Sequence, residues 1–369
     1  MGNPIKILLV SPFKGTVGGI SKWTGHILKY YNSISIKDEI DLDQFYVTGK
    51  SVHGDTSKVN RLLVGIIKYI PFLTELKQRL KASEYNVVHF TSSASISLIR
   101  DYFAIKIARK YGVKTIIHFR FGRIPELQIR SNWEWRMIKK VITLSDKTIV
   151  IDSTSFSTLT QSGFKNIEFL PNPITPEVSE IIYNSPQIER KDRLVLFVGH
   201  VIRAKGVFEL IKACKGIPNI KLRIFGHVTN EMRNSLNDLA GKNNNWLDIV
   251  GEKSFEDTIK EILSCELFVL PSYTEGFPNV ILESMACGCS IIATKVGAIP
   301  EMLDIDGKKP CGLCIEPKNV FQLRSSILKL LDDEILAFEL GKRAKRRVNE
   351  EYSMPVVWSK MVDIWKSVL

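Results

Sequence analysis

The stretch Pro271-Ser-Tyr-Thr-Glu275-Gly-Phe-Pro-Asn279-Val-Ile-Leu-Glu283-Ser-Met-Ala-Cys-Gly288 lies between two short apolar runs, Leu267 to Leu270 and Ile291-Ile292. Short apolar runs bounded by turn residues read as buried parallel strands. The segment between them reads as a helix, because Pro278 is tolerated in a first turn and Gly288 suits a left-handed stop. Strand, loop, helix, strand is the repeating unit of a doubly wound α/β fold. The start of the helix leaves backbone N–H groups at Phe277, Pro278, Asn279 and Val280 that can face an anion, except at Pro278, which has none. Gly276 lets a ligand approach the main chain, so the loop forms a phosphate seat. Glu275 in the loop and Glu283 one turn into the helix flank that seat, placed to hold ligand hydroxyls.

The context of the two glutamates, with Thr294-Lys-Val-Gly297 following, resembles the paired-glutamate motif of the retaining glycosyltransferases of family 4, the "group 1" transferases. Their architecture, GT-B, implies two Rossmann-like domains facing each other across a cleft, with a C-terminal helix crossing back to the first domain. On this basis we expect an acceptor-binding domain over residues 1–172, a nucleotide-sugar-binding domain over 173–350, and a returning helix over 351–369.

A chain of 369 residues with 44% hydrophobic content and mean hydropathy of +0.01 suits two soluble globular domains. Met1-Gly-Asn-Pro leads straight into an apolar strand, without the form of a signal peptide, and no apolar run approaches the length of a membrane span. The expected location is the cytoplasm, with peripheral attachment to the cytosolic membrane face. The net charge of +12 is carried by one half: residues 1–172 hold 25 Lys and Arg against 13 Asp and Glu, whereas residues 173–369 hold 26 of each. An anionic partner is therefore expected for the first half only. All six cysteines lie in the second half. They read as buried reduced thiols rather than a zinc site.

Ile5 to Val10 reads as the first strand, followed by a glycine loop to Gly18 and Gly19 and a helical pattern through Ile20, Trp23 and Ile27. In the family a comparable loop faces the donor diphosphate, which makes Gly18 and Gly19 donor-binding candidates. Residues 59–83 interleave apolar and basic residues and are split by Pro71. They read either as a membrane-interface surface or as a core helix with a solvated face. The strand at Thr115 ends at His118, Arg120 and Arg123, where ligands gather in open α/β sheets. A family histidine at this place approaches the donor sugar, so His118 is a candidate catalytic residue beside Glu275. Arg120, Arg123, Trp133, Arg136, Lys139 and Lys140 form a basic aromatic set suited to an acceptor or a headgroup layer. Residues 174–192 turn polar and proline-bearing, as a connection would.

The second domain opens with a strand to Gly199. The family loop then reads Gly-Arg, several residues, Lys-Gly, with the Arg and Lys neutralising the donor diphosphate. Lys205 matches, His200 stands at the arginine position, and Arg203 is the expected substitute. The resemblance implies a retaining transfer of a hexose-type sugar from a nucleotide sugar to a glycan or lipid-linked glycan acceptor, as in cell-surface polysaccharide or glycolipid synthesis. Glu283 would take the ribose hydroxyls. No metal and no cofactor beyond the donor co-substrate are expected, nor a nucleic-acid partner. Rival readings are a GT-B sugar-nucleotide epimerase, a phosphorylase, for which no cofactor-lysine context is found, and a basic membrane-binding module without catalysis.

Overall fold

The structure, a computed structural model, describes residues 3–12, 19–34, 39–47 and 69–369. Gly18 and the basic apolar residues 59–68 lie outside them. The described chain divides into two compact units. The first runs to Pro171 and takes in Trp358–Leu369, and the second is Asn172–Val357.

In the first unit the strands are β1 (Ile5–Pro12), β2 (Ile40–Val47), β3 (Val87–Ser92), β4 (Lys114–Phe119), β5 (Lys147–Val150) and β6 (Ile167–Phe169). They form one parallel sheet in the order β2-β1-β3-β4-β5-β6. All six β3 residues are buried, as expected where helices cover both faces of a parallel sheet. The helix Ser153–Gln161 begins at Asp152, whose carboxylate accepts from Ser155 N at 2.7 Å. The closing helix Met354–Lys366 brings Trp358 and Trp365 into this unit, where Trp358 stacks on Tyr31 and Trp365 is fully buried.

The second unit holds β7 (Lys191–Val198), β8 (Lys221–Phe225), β9 (Leu247–Gly251), β10 (Cys265–Leu270), β11 (Ser290–Thr294) and β12 (Leu313–Ile315). Their order β12-β11-β10-β7-β8-β9 reverses between β7 and β10. In such sheets the crevice beyond the carboxyl ends of the two central strands is the ligand position. Both units are thus Rossmann-like, as the sequence predicts.

Pro71 stands in the first turn of the helix Tyr69–Ala82, where a residue needs no amide hydrogen, and the part of its segment before Tyr69 lies outside the described residues. The stretch 174–192 is no bare connection, since it contains the helix Pro176–Tyr183 and the start of β7. Val178 anchors that helix by burial. No described helix is long and apolar enough to cross a membrane.

Candidate active site

The loops that follow β7 and β10 meet through the main chain, Tyr273 N donating to Ala204 O at 2.8 Å. The first loop closes in a 3-10 turn, Arg203–Lys205, ended by Gly206 at φ +71°. Glycine is required there twice over, by the left-handed backbone and because a Cβ would stand inside the Pro271 carbonyl. This close approach carries Lys205 to Glu275. Lys205 Nζ lies 2.6 Å from Glu275 Oε1, and Ser272 Oγ donates to the same oxygen at 2.6 Å. The Glu275 side chain is 10% exposed and that of Lys205 24%, so the carboxylate is the fixed member and the ammonium the one nearer water.

The Glu275 loop is held from behind. Thr294 Oγ1 donates to Ser272 O at 2.5 Å and Ala298 N to Gly276 O at 2.9 Å. Gly297, at φ +56°, leaves room for the Glu275 and Gly276 carbonyls, since a Cβ there would lie 2.6 Å from Gly276 O. This gives the Thr294–Gly297 part of the motif a physical reason. The following helix, Asn279–Ala286, starts at Pro278 without a side-chain cap and ends before Gly288 at φ +67°. Its first amides are those of Asn279 and Val280, the last two residues of the Phe277–Val280 stretch expected from sequence. Phe277 instead packs its buried ring against Tyr352, with centroids 6.0 Å apart. Asn279 Oδ1 accepts from Asn172 Nδ2 at 2.9 Å. Glu283 is partly exposed on the same helix.

Gly199 ends β7, and Gly226 allows the end of β8 to reach it, because a Cβ at Gly226 would overlap the Gly199 carbonyl. His200 is exposed and faces His227, ring centroids 6.5 Å apart. The Arg203 guanidinium lies over the Phe208 ring at 4.3 Å, so this arginine is engaged with an aromatic face while Lys205 meets the carboxylate. Among the described residues no three His, Cys, Asp or Glu side chains gather as metal ligands. A cavity of about 560 Å³ lined by Arg190, Cys287 and Gly288 opens where the Asn279–Ala286 helix ends, away from Glu275.

In the first unit His118 is on β4 opposite Thr91 of β3, fully buried. Its ring meets the Trp23 ring edge-on at 5.2 Å and lies beside His89 and Arg120. Burial, reinforced by the Arg120 charge, holds the His118 imidazole well below its ordinary range and His89 down to about 3. Both are neutral at any pH near 7. Arg120 follows β4, with its guanidinium over Trp23 at 4.4 Å. Arg123 is exposed and begins the helix Ile124–Arg130. Trp133, 44% exposed, opens the helix Trp133–Leu144, on which Arg136, Lys139 and Lys140 are also exposed. Gly19 opens the helix Gly19–Ser33, and a Cβ there would meet none of the described residues within 4 Å. Sequence reasoning gave no role to Ser272, which stands within the motif, or to His89, which sits inside an apolar strand.

Comparison with known proteins follows the same division. Residues 178–347, nearly all of the second unit, match the family model described as glycosyl transferases group 1. The chain is 28% identical over 371 residues to an uncharacterized glycosyltransferase of Methanocaldococcus jannaschii, covering 97% of this chain and 96% of that protein. It is 32% identical over 189 residues to the Campylobacter jejuni N,N'-diacetylbacillosaminyl-diphospho-undecaprenol alpha-1,3-N-acetylgalactosaminyltransferase, covering 49% of this chain and 46% of that one. The fold is similar, with a TM-score of 0.71 and 15% identity, to that of Anabaena HepE solved in complex with UDP, over 98% of this chain and 100% of that chain. Residues 178–347 are thus similar to the glycosyl transferases group 1, and the chain is a glycosyltransferase with two Rossmann-like units.

Proposed function

We propose that this glycosyltransferase moves a hexose-type sugar from a nucleoside-diphosphate sugar to a glycan carried on a polyprenyl diphosphate or similar lipid, with retention of anomeric configuration and without a metal. The observation that carries the reading is the Lys205–Glu275 pair at the switch point of the second sheet, beside an uncapped helix start. An incoming diphosphate competes with Glu275 for Lys205. Once Lys205 and the amides at Asn279 and Val280 face the phosphates, the Glu275 carboxylate is free to accept hydrogen bonds from the donor sugar, with Ser272 still holding it. The departing nucleoside diphosphate is then stabilised by a cation and backbone dipoles, the task a divalent ion performs elsewhere. His118 is assigned to turnover, and no protein nucleophile is assigned. The Campylobacter jejuni relative, by its name, acts on a diphospho-undecaprenol glycan, which supports the acceptor class. The exposed Trp133, Arg136, Lys139 and Lys140 of the basic first unit suit the diphosphate headgroup and an anionic cytosolic membrane face.

The reading is tested by incubating the protein with UDP-, GDP- and ADP-sugars and a polyprenyl-diphosphate glycan in excess EDTA, following the product anomer by NMR. Full activity in EDTA and an α-linked product from an α-linked donor are expected. Activity lost in EDTA and restored by Mg²⁺ or Mn²⁺ overturns the metal-free mechanism, and an inverted product overturns retention.

Glu283→Ala is expected to weaken donor binding by about 1.5–3 kcal/mol, the range of hydrogen bonds to a charged group. Titration calorimetry with the donor checks this against the unaltered protein. The turnover of bound donor should change far less, because ribose contacts are common to ground and transition states.

A further inference from the structure

Three nitrogen-to-nitrogen contacts join four side chains of the first unit in one line. Trp365 Nε1 lies 3.0 Å from His89 Nδ1, His89 Nε2 lies 3.2 Å from His118 Nδ1, and His118 Nε2 lies 3.3 Å from Arg120 Nη1. The two ends of this line can only donate, since neither an indole N–H nor a guanidinium has an acceptor. Each neutral imidazole carries one N–H and one bare nitrogen, and both imidazoles are fully buried. Two end donors and two ring protons cannot all be satisfied by three contacts, so one contact must set N–H against N–H.

The location of that conflict follows from burial. The Trp365 N–H requires His89 Nδ1 to be bare, which places the His89 proton on Nε2. If His118 Nε2 accepted from Arg120, the His118 proton would sit on Nδ1 and oppose the His89 proton between two fully buried rings. If His118 Nδ1 accepts from His89, the conflict moves to the Arg120 end, where the side chain is partly exposed and can turn. The second arrangement also leaves the two shorter contacts intact.

We propose that Trp365 and His89 are positioning residues that fix His118 as its Nε2–H tautomer. His118 and Arg120 then present two N–H donors toward one oxygen of the substrate, of the phosphate or sugar-hydroxyl class. Arg120 is prepared for such a ligand. Among the described residues its side chain meets His118 and the Trp23 face, and its buried Nε finds no partner. Trp23 touches both groups, the Arg120 guanidinium at 4.4 Å and the His118 ring edge-on at 5.2 Å, and so restricts both. The closing helix Met354–Lys366 thereby acts on the chemistry through Trp365. This inference rests on the reading of His118 as a participant in transfer.

The test begins with the unaltered full chain, labelled with ¹⁵N-histidine. Long-range ¹H–¹⁵N correlation is expected to show Nε2 protonated and Nδ1 bare in both His89 and His118. A proton on His118 Nδ1 overturns the proposal. Trp365→Phe removes the N–H and keeps an aromatic ring. It is expected to populate the second tautomer at both histidines and to lower kcat on the order of tenfold, with the donor KM within about twofold. In a His118→Ala background the same substitution is expected to change kcat by less than about twofold. Wild-type tautomers and wild-type kcat in Trp365→Phe overturn the proposal. So does a fall in kcat that is equal with and without His118, which marks a packing effect only. Full turnover by His118→Ala, with the Nε2–H tautomer observed in the unaltered protein, overturns the assignment of His118 to transfer and leaves the relay standing.

Discussion

Replacing Glu275 by glutamine is expected to lower kcat by about 100-fold or more, the usual loss when one pre-positioned electrostatic group is removed from a transition state. The carboxylate sits within 2.6 Å of both Lys205 Nζ and Ser272 Oγ on a single oxygen, and its negative charge strengthens both bonds, above all the one to the ammonium. Glutamine has nearly the same shape but offers an oxygen without charge or an NH₂ that opposes both donors. The loop itself should persist, because Gly276 O and Ser272 O are held by Ala298 and Thr294 rather than by the Glu275 side chain. The expected cost in stability is therefore about 1 kcal/mol, one hydrogen bond to a charged group exchanged for a poorer one. Donor affinity should change little or rise, since Lys205 no longer has to leave a carboxylate to meet the diphosphate. A kcat reduced with donor KM unchanged or lower, and an unfolding curve close to that of the unaltered protein, would establish Glu275 as a group acting in the transition state. An unchanged kcat would remove it from that role.

The contrast between Glu275 and Ser272 shows which parts of the site are legible in the sequence. Glu275 and Gly288 announce themselves through local grammar, since a proline and a glycine bound a helix, whereas Lys205 is picked out by the resemblance of its loop to the family's Lys-Gly. Local grammar also suffices for most strands of the two sheets, which are short apolar runs punctuated by turn residues, whereas β2, Ile-Asp-Leu-Asp-Gln-Phe-Tyr-Val, is no such run and the sequence reading passes over it. Ser272 is chosen by its distance from Glu275 in space, and nothing in Pro-Ser-Tyr distinguishes its hydroxyl from any other at the mouth of a strand. The same limit hides contacts between distant positions. Asn172 and Asn279 are 107 residues apart, and Trp365 and His89 are 276 apart. His89 is invisible for a further reason, since in Val-Val-His-Phe it stands where an apolar residue would complete a buried strand. The helix within 174–192 is hidden for a different reason. Its prolines and polar residues mark a helix start as well as they mark a connection, and only the burial of Val178 decides between them. The position of Arg203 was legible, but its stacking on Phe208 was not, because a cation beside an aromatic residue in sequence need not lie on its face.

Gly206→Ala is expected to be among the most damaging single-methyl changes in the second unit, and its comparison with a second glycine separates two costs that glycines usually combine. At φ +71° an alanine backbone is strained by about 1–3 kcal/mol. In addition, the new Cβ would overlap Pro271 O and lie 2.8 Å from Pro271 C and 3.1 Å from Pro271 Cβ. Pro271 follows β10 directly, on a backbone tied to β11 and β7, so relief falls on the Arg203–Lys205 turn. Overpacking of this kind costs about a further 1–3 kcal/mol. Gly216 supplies the control, with φ +75° and nothing within 4 Å of a Cβ. Gly216→Ala therefore carries the backbone strain alone. Urea unfolding of the two variants is expected to place Gly206→Ala below Gly216→Ala by about 1–3 kcal/mol. Because the turn carries Lys205, Gly206→Ala should also weaken donor binding at least about tenfold, the loss of one charge-assisted contact, whereas Gly216→Ala should bind donor normally. Equal stability losses in the two variants would mean that the Pro271 approach yields easily. Normal donor binding by Gly206→Ala would mean that Lys205 reaches the diphosphate without the turn being held against β10.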